Sequence, residues 1–210
     1  MMDKIPNTYI PEIPKSLICN WNALDIDEMK AKYTKKNTGL KFLDRKIFNT
    51  FNWKWCLQYL PEYTIYNNKI YNVIDISAAC GSSLEVIKHF NNNVFATDNY
   101  TSYNGYYKEA LSSQNIPHQK LNIKKLPYDI TSKSYDLLIH AGAIHFCNFS
   151  IWDKIIDEFT RISKKTIIIS LNTMPDDKMC IGKNILSNWK SIGWDLVYNN
   201  YNVYKWEYKN

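Results

Sequence analysis

The run Val73-Ile74-Asp75-Ile76-Ser77-Ala78-Ala79-Cys80-Gly81-Ser82-Ser83-Leu84 constrains the fold more than any other part of this chain. A short apolar strand leads into a bend of small side chains, and the bend opens directly onto a helical pattern. A second apolar run, Val94-Phe95-Ala96-Thr97, ends on Asp98. Small residues let the backbone approach a ligand, and a helix N-terminus presents free N–H groups. A carboxylate at the end of the next strand can accept hydrogen bonds from ribose hydroxyls. The expectation is a nucleotide crevice at the carboxyl edge of a sheet, with an adenosine-containing ligand.

The rest of the chain supplies the sheet. Strands are expected at 71–77, 93–97, 118–121, 134–140, 166–171, 195–199 and 203–208, and helices at 82–90, 103–113, 151–162 and 183–192. Short apolar runs separated by helices imply a parallel sheet covered on both faces. Only Asn200-Tyr201-Asn202 separates the last two strands, a connection that permits only a hairpin. The predicted fold class is therefore α/β: a seven-stranded, mostly parallel Rossmann-like sheet with an antiparallel C-terminal strand and helices on both faces. Apolar residues from Leu40 to Leu60 recur at helical spacing until Pro61 stops them, so a helix is expected against the sheet before it begins. Residues 1–40, broken by Pro6, Pro11 and Pro14, read as an N-terminal extension or lid with a short helix at 25–33. Residues 41–210 form the main domain.

Length and composition set the remaining bounds. A chain of 210 residues holds one well-buried domain and a modest extension. No apolar run is long enough to cross a bilayer, and the first residues lack the order of a secretion signal, so no membrane partner and a cytoplasmic location are expected. Five scattered cysteines without a Cys-x-x-Cys or a nearby histidine at ligand spacing argue against a disulfide framework and a metal site. The formal charge of +6 leaves nucleic acid open as a partner, but the surplus of Lys, Asn, Ile and Tyr reads as coding bias before function.

Four segments in this order resemble the class I S-adenosylmethionine-dependent methyltransferases. Asp75 to Gly81 is similar to the family's first motif, and Asp98 falls where the family keeps its ribose-binding acid. Leu121-Asn122-Ile123-Lys124-Lys125-Leu126-Pro127 resembles the third-strand segment that faces adenine. Ser134 to Ile139 with His140-Ala141-Gly142-Ala143-Ile144-His145-Phe146 is similar to the fourth strand and its loop. The resemblance implies S-adenosylmethionine as cofactor, S-adenosylhomocysteine as product, and contacts from Asp75, Ser77, Ala79, Gly81, Asp98, Asn99, Asn122, Ile123 and His140. Family members often carry glycine at three alternate positions of the first bend, where this chain has Ser77, Ala79 and Gly81.

Methyl transfer from a sulfonium is an in-line displacement from an activated donor, so holding the reactants aligned is the main requirement. Where the acceptor must lose a proton, His145 and His140 are the candidate bases, with packing beside Phe146 as the alternative role of His145. The expected function is methyl transfer to a small-molecule acceptor. The Asp75-x-x-Ala78-Ala79-x-Gly81 pattern also resembles a variant found in RNA methyltransferases, which keeps a nucleic-acid acceptor as the first alternative. A non-catalytic adenosyl-binding scaffold is the second. A nicotinamide oxidoreductase is disfavoured by the incomplete glycine fingerprint and the lack of a Tyr-x-x-x-Lys pair on a suitable helix.

Overall fold

The computed structural model describes residues 12, 14, 45–66, 68–101, 106–171, 175–200 and 202–209. Its elements are α1 (Arg45–Tyr59), β1 (Asn72–Ile76), α2 (Ser82–His89), β2 (Asn93–Asp98), α3 (Tyr106–Ser113), β3 (His118–Lys120), β4 (Tyr135–Ala141), α4 (Trp152–Ile162), β5 (Ser163–Ser170), α5 (Asp176–Asn188), β6 (Trp194–Asn200) and β7 (Val203–Tyr208). One seven-stranded sheet runs in the order β3-β2-β1-β4-β5-β7-β6. Strands β1 to β5 pair in parallel, and β7 runs antiparallel to both β5 and β6. The expected lid and the helix at 25–33 lie outside the described residues.

Strand alternation divides the core in two. Val73, Val94, Ala96, Leu137, Ile139 and Ile168 face α1, α2 and α3, packing against Trp53, Cys56, Leu84, Ile87 and Leu111. Ile74, Ile76, Leu138, Ile167 and Ile169 face the opposite way onto α4 and α5, against Trp152, Ile156, Phe159 and Leu186. Each of these side chains is almost wholly buried, which stabilises the fold by roughly 1.5–3 kcal/mol per large aliphatic residue. Because β1 and β4 are central, their side chains on both faces are enclosed, and polar residues at their carboxyl ends stand out.

Two elements depart from expectation. Helix α5 was expected over 183–192 but spans Asp176–Asn188. Pro175, with φ −59° and ψ 142°, sets the chain into the helix, and Asp176 puts a carboxylate at its positive end. Ile192, which looked like the last apolar residue of the helix, is 98% exposed in the tight turn closed by the Ser191–Trp194 bridge. Strand β5 begins at Ser163, directly after α4, rather than at Thr166. Ser163 Oγ donates to Thr166 O at 2.9 Å and Lys133 Nζ donates to Ser163 O at 3.0 Å, so polar anchors replace the apolar signal there. The antiparallel C-terminal strand is present as expected. It is wedged inside the sheet, and β6 takes the edge. No helix among the described residues is long and apolar enough to cross a membrane.

Candidate functional site

The bend after β1 keeps a glycine-type backbone although two of its three key residues have side chains. Ser77, Ala79 and Gly81 have φ of 66°, 51° and 74°, the left-handed region in which a Cβ costs about 1–2 kcal/mol. Ala78 N–H donates to Thr97 O at 2.9 Å and Gly81 N–H to Ala78 O at 2.8 Å, so the bend is sewn to β2 and to itself. Gln114 Nε2 also donates to Cys80 O at 2.8 Å. Gly81 is glycine for a second reason. A Cβ there would lie 2.5 Å from Leu111 Cδ2 and 3.1 Å from Ile116 Cδ1, so the space is filled by α3 and the loop after it.

Asp98 meets this bend. Its Oδ2 accepts from Ala79 N–H at 3.1 Å and its Oδ1 from Tyr100 N–H at 2.8 Å. Burial raises the Asp98 pKa, and the backbone N–H groups of Tyr100, Ala79 and Asn99 oppose that shift. A carboxylate has about four lone-pair sites, so acceptor capacity is left for hydroxyl donors. Tyr100 itself holds φ 57°, and its hydroxyl is buried with no partner among the described residues. Asn99 is half-buried beside it, with Nδ2 donating to Thr101 Oγ1 at 3.2 Å.

Asp75 lies on the same face of the sheet as Asp98, because Val73 and Ala96, each two residues before its aspartate in the strand, pack into the same core. It is buried, Oδ1 has no partner among the described residues, and burial, then the Asp98 charge, raise its pKa well above the usual carboxylate range. Cys56 of α1 feels the Asp75 charge from the helix side and donates its thiol to Ser83 O at 3.8 Å. An unpartnered buried carboxylate oxygen next to a backbone cradle suits a cationic ligand group.

Leu121 N–H donates to Asp98 O at 3.0 Å, which puts the β3 end beside the β2 end. Asn122 is half-buried, with Oδ1 accepting from Lys124 N–H at 3.0 Å in a local turn. Ile123 is buried in the core facing α4, and its carbonyl accepts from Tyr128 OH at 2.9 Å. Asn122 thus follows directly on the residue that pairs with Asp98, while the Ile123 side chain points into the opposite core.

His140 sits at the carboxyl end of β4 but on the other face, 0% exposed, with its ring 5.2 Å from that of Phe159. Nδ1–H donates to Ile76 O at 2.7 Å, and Nε2 is buried without a partner among the described residues. Burial lowers its pKa to about 4, so the ring is neutral at pH 7. The crevice-lining position expected for His140 is therefore corrected to an enclosed one, since the alternation of β4 turns its ring onto α4. His145 follows in a helical turn over Ile144–Phe146, half-buried, its ring 4.1 Å from that of Phe146, which is 68% exposed. Burial lowers the His145 pKa, and the Lys178 charge adds to that against a contact with the Gly142 backbone. The bend, Asp75, Asp98 and Asn99 thus gather at one edge with Asn122 just past the end of β3, Ile123 turns into the core facing α4, His145 follows on the β4 loop, and His140 is enclosed. Tyr100, Gln114, Cys56 and Lys178 were not anticipated.

No family model matches the chain, and no curated protein sequence matches it. Solved structures do. Magnesium protoporphyrin IX methyltransferase from Synechocystis, with bound S-adenosylhomocysteine, superposes with TM-score 0.55 at 11% identity over 90% of this chain and 96% of that one. The same enzyme with bound S-adenosylmethionine gives 0.54 at 14% identity over 96% and 100%. A proposed S-adenosyl-L-methionine-dependent methyltransferase from Methanococcus maripaludis gives 0.55 at 11% over 96% and 97%. The chain has the class I methyltransferase fold.

Proposed function

We propose that this chain is an S-adenosylmethionine-dependent methyltransferase acting on a small-molecule acceptor. One observation carries the reading: Ala79 N–H and Asp98 Oδ2 are in contact, which joins a glycine-type bend and a ribose-type carboxylate at a single point of the sheet edge. The shared fold of the Synechocystis enzyme, which binds the same cofactor pair and whose name gives a porphyrin acceptor, supports the assignment.

The residues present fit an adenosyl sulfonium. Asp98 has lone pairs free for ribose hydroxyls, and the unpartnered Oδ1 of Asp75 matches the ammonium of the cofactor's amino-acid end. Asn99, Asn122 and the backbone of Ile123 would hold the adenine, and the Ser77–Gly81 bend would offer backbone N–H groups to the rest of the cofactor. When bound, the cofactor supplies a methyl group already activated by positive sulfur. What remains for the protein is alignment, worth about 7–11 kcal/mol of barrier.

His145 is the base where one is needed. Its depressed pKa keeps the imidazole neutral and able to take a proton from an acceptor hydroxyl or amine near pH 7. His140 acts by position: it ties the end of β4 to Ile76 O and so sets where the His145 loop departs.

The Cβ atoms of Ser77 and Ala79 favour a second reading, a scaffold that has lost turnover, because each narrows the approach to the bend. Isothermal calorimetry with S-adenosylmethionine and S-adenosylhomocysteine tests the cofactor site, and acceptor-dependent release of S-adenosylhomocysteine separates turnover from a scaffold that only binds. Single-site binding of both, weakened about tenfold by Asp98→Ala, supports the cofactor site. Absence of binding to either ligand by the folded protein overturns the transferase.

A further inference from the structure

Helix α4 holds the loop that carries Asn122 and Ile123 through a continuous chain of hydrogen bonds. Near its end, Arg161 Nε and Nη2 each donate to a Glu158 oxygen at 2.8 Å, a two-pronged pair that fixes the plane of the guanidinium. The remaining donors reach the loop: Nη2 donates to Tyr128 O at 2.9 Å, and Nη1 to Ile130 O at 2.7 Å and Ser132 Oγ at 3.1 Å. Glu158 Oε2 accepts from Tyr128 N–H at 2.9 Å, so one ion pair grips both backbone polar groups of Tyr128. The Tyr128 hydroxyl in turn donates to Ile123 O at 2.9 Å.

The ring of Tyr128 and its hydroxyl do different things. The ring is buried, 6.5 Å from that of Phe159 in the core facing α4, where a phenylalanine would pack as well. The hydroxyl acts on the turn that follows β3. That turn's own bonds, Lys125 N–H to Asn122 O at 2.9 Å and Lys124 N–H to Asn122 Oδ1 at 3.0 Å, both end on Asn122. The Tyr128 hydroxyl adds a fixed point at Ile123, and a held carbonyl fixes its rigid peptide plane. Burial raises the Tyr128 pKa, so the hydroxyl keeps its proton and remains a donor.

We propose that Tyr128 is a positioning residue for cofactor binding, the link through which the Arg161–Glu158 pair sets the geometry of Asn122 and the Ile123 backbone. Contacts held ready before the ligand arrives bind it more tightly, because less order is lost on association. The inference rests on the adenosyl-binding reading of the crevice and extends it to three residues outside the proposed contacts.

Calorimetry of the full chain with S-adenosylhomocysteine is the test. Tyr128→Phe keeps the ring and is expected to weaken binding about fivefold. Arg161→Lys keeps the charge without the fork and weakens it at least as much, and the double variant loses little more than Arg161→Lys alone. In an Asn122→Ala background, where one of the positioned groups is gone, Tyr128→Phe is expected to cost about twofold or less. Ile156→Val, a core change on the same helix that leaves every bond of the chain in place, lowers Tm and keeps the affinity of the parent. Circular dichroism establishes that each variant is folded. A Tyr128→Phe protein that loses only stability, as Ile156→Val does, or losses that simply add with Asn122→Ala, would overturn the positioning role while leaving the cofactor site standing. A folded parent that binds no S-adenosylhomocysteine overturns the adenosyl reading and this inference with it.

Discussion

Ala79 N–H and Asp98 Oδ2 meet at 3.1 Å, so a single carboxylate closes the first bend and also stands where the proposed ribose contact is made. Asp98→Ala is therefore expected to weaken S-adenosylmethionine binding about tenfold and, in the same protein, to cost roughly 1–3 kcal/mol of stability, since backbone donors lose a charged acceptor. Asp98→Asn retains an acceptor for Tyr100 N–H and loses less of both. Calorimetry and urea unfolding read the two effects, and an Asp98→Ala protein as stable as the parent would remove the clamp.

The left-handed residues make opposite predictions at neighbouring positions. Ala79→Gly and Ser77→Gly relieve a Cβ at φ 51° and 66°, so each is expected to raise stability by about 0.5–1 kcal/mol once the freer unfolded chain is counted. Gly81→Ala puts a Cβ 2.5 Å from Leu111 Cδ2 and is expected to cost at least about 2 kcal/mol. Part of that returns in Gly81→Ala/Leu111→Ala relative to the sum of the single changes. Additive single and double variants would sink the packing explanation.

Asp75 gives stability a pH dependence of unusual sign. Its folded pKa lies well above the unfolded value of 3.8, mainly through burial and then through Asp98. Its favourable contribution is complete below 3.8 and is lost as pH rises through the folded pKa. Asp75→Asn keeps the shape without the charge, so at pH 7 it is expected to raise Tm by about 2–4 °C or more while weakening cofactor binding. Calorimetric unfolding against pH checks the first half. A Tm at pH 7 that falls in Asp75→Asn would show that the carboxylate is satisfied in the folded protein.

His140 works in the other direction. Its folded pKa of about 4 lies below the ordinary 6.5, so the folded protein resists a proton that the unfolded chain takes up. The stability it contributes is complete above 6.5 and is lost as pH falls from 6.5 toward 4. In an Asp75→Asn background, which removes the more buried of the two opposing carboxylates, His140→Gln is expected to reduce the slope of Tm across that window, leaving the parts due to Asp98 and His145. An unchanged slope would assign it to another group.

Legibility in the sequence followed how local each signal was. β7 was read with both of its ends in place because three residues leave room only for a hairpin, and the Ser77–Gly81 bend and Asp98 were legible because spacing alone brings them together. Helix α5 was misplaced because Ile185 and Ile192 suggested one apolar face, whereas Pro175 and Asp176 mark the true start. His140 was expected at the strand end where it lies, but its enclosure against Phe159 was not legible, since a two-residue period fixes a side only once one residue of β4 has been placed. The tie from Arg161 and Glu158 through Tyr128 to Ile123 was invisible for a different reason: helix and loop are joined there by tertiary packing alone.

The wedging of β7 between β5 and β6 has a consequence for biogenesis. As the polypeptide leaves the ribosome, β6 emerges with no partner to receive it, because the slot next to β5 belongs to a strand not yet made. Until Val203–Tyr208 appears, the nascent domain carries an open β5 margin beside Ile167 and Ile169, a surface that invites chaperones or wrong pairing. A ribosome stalled before residue 203 would thus hold six of the seven strands and none of their closure.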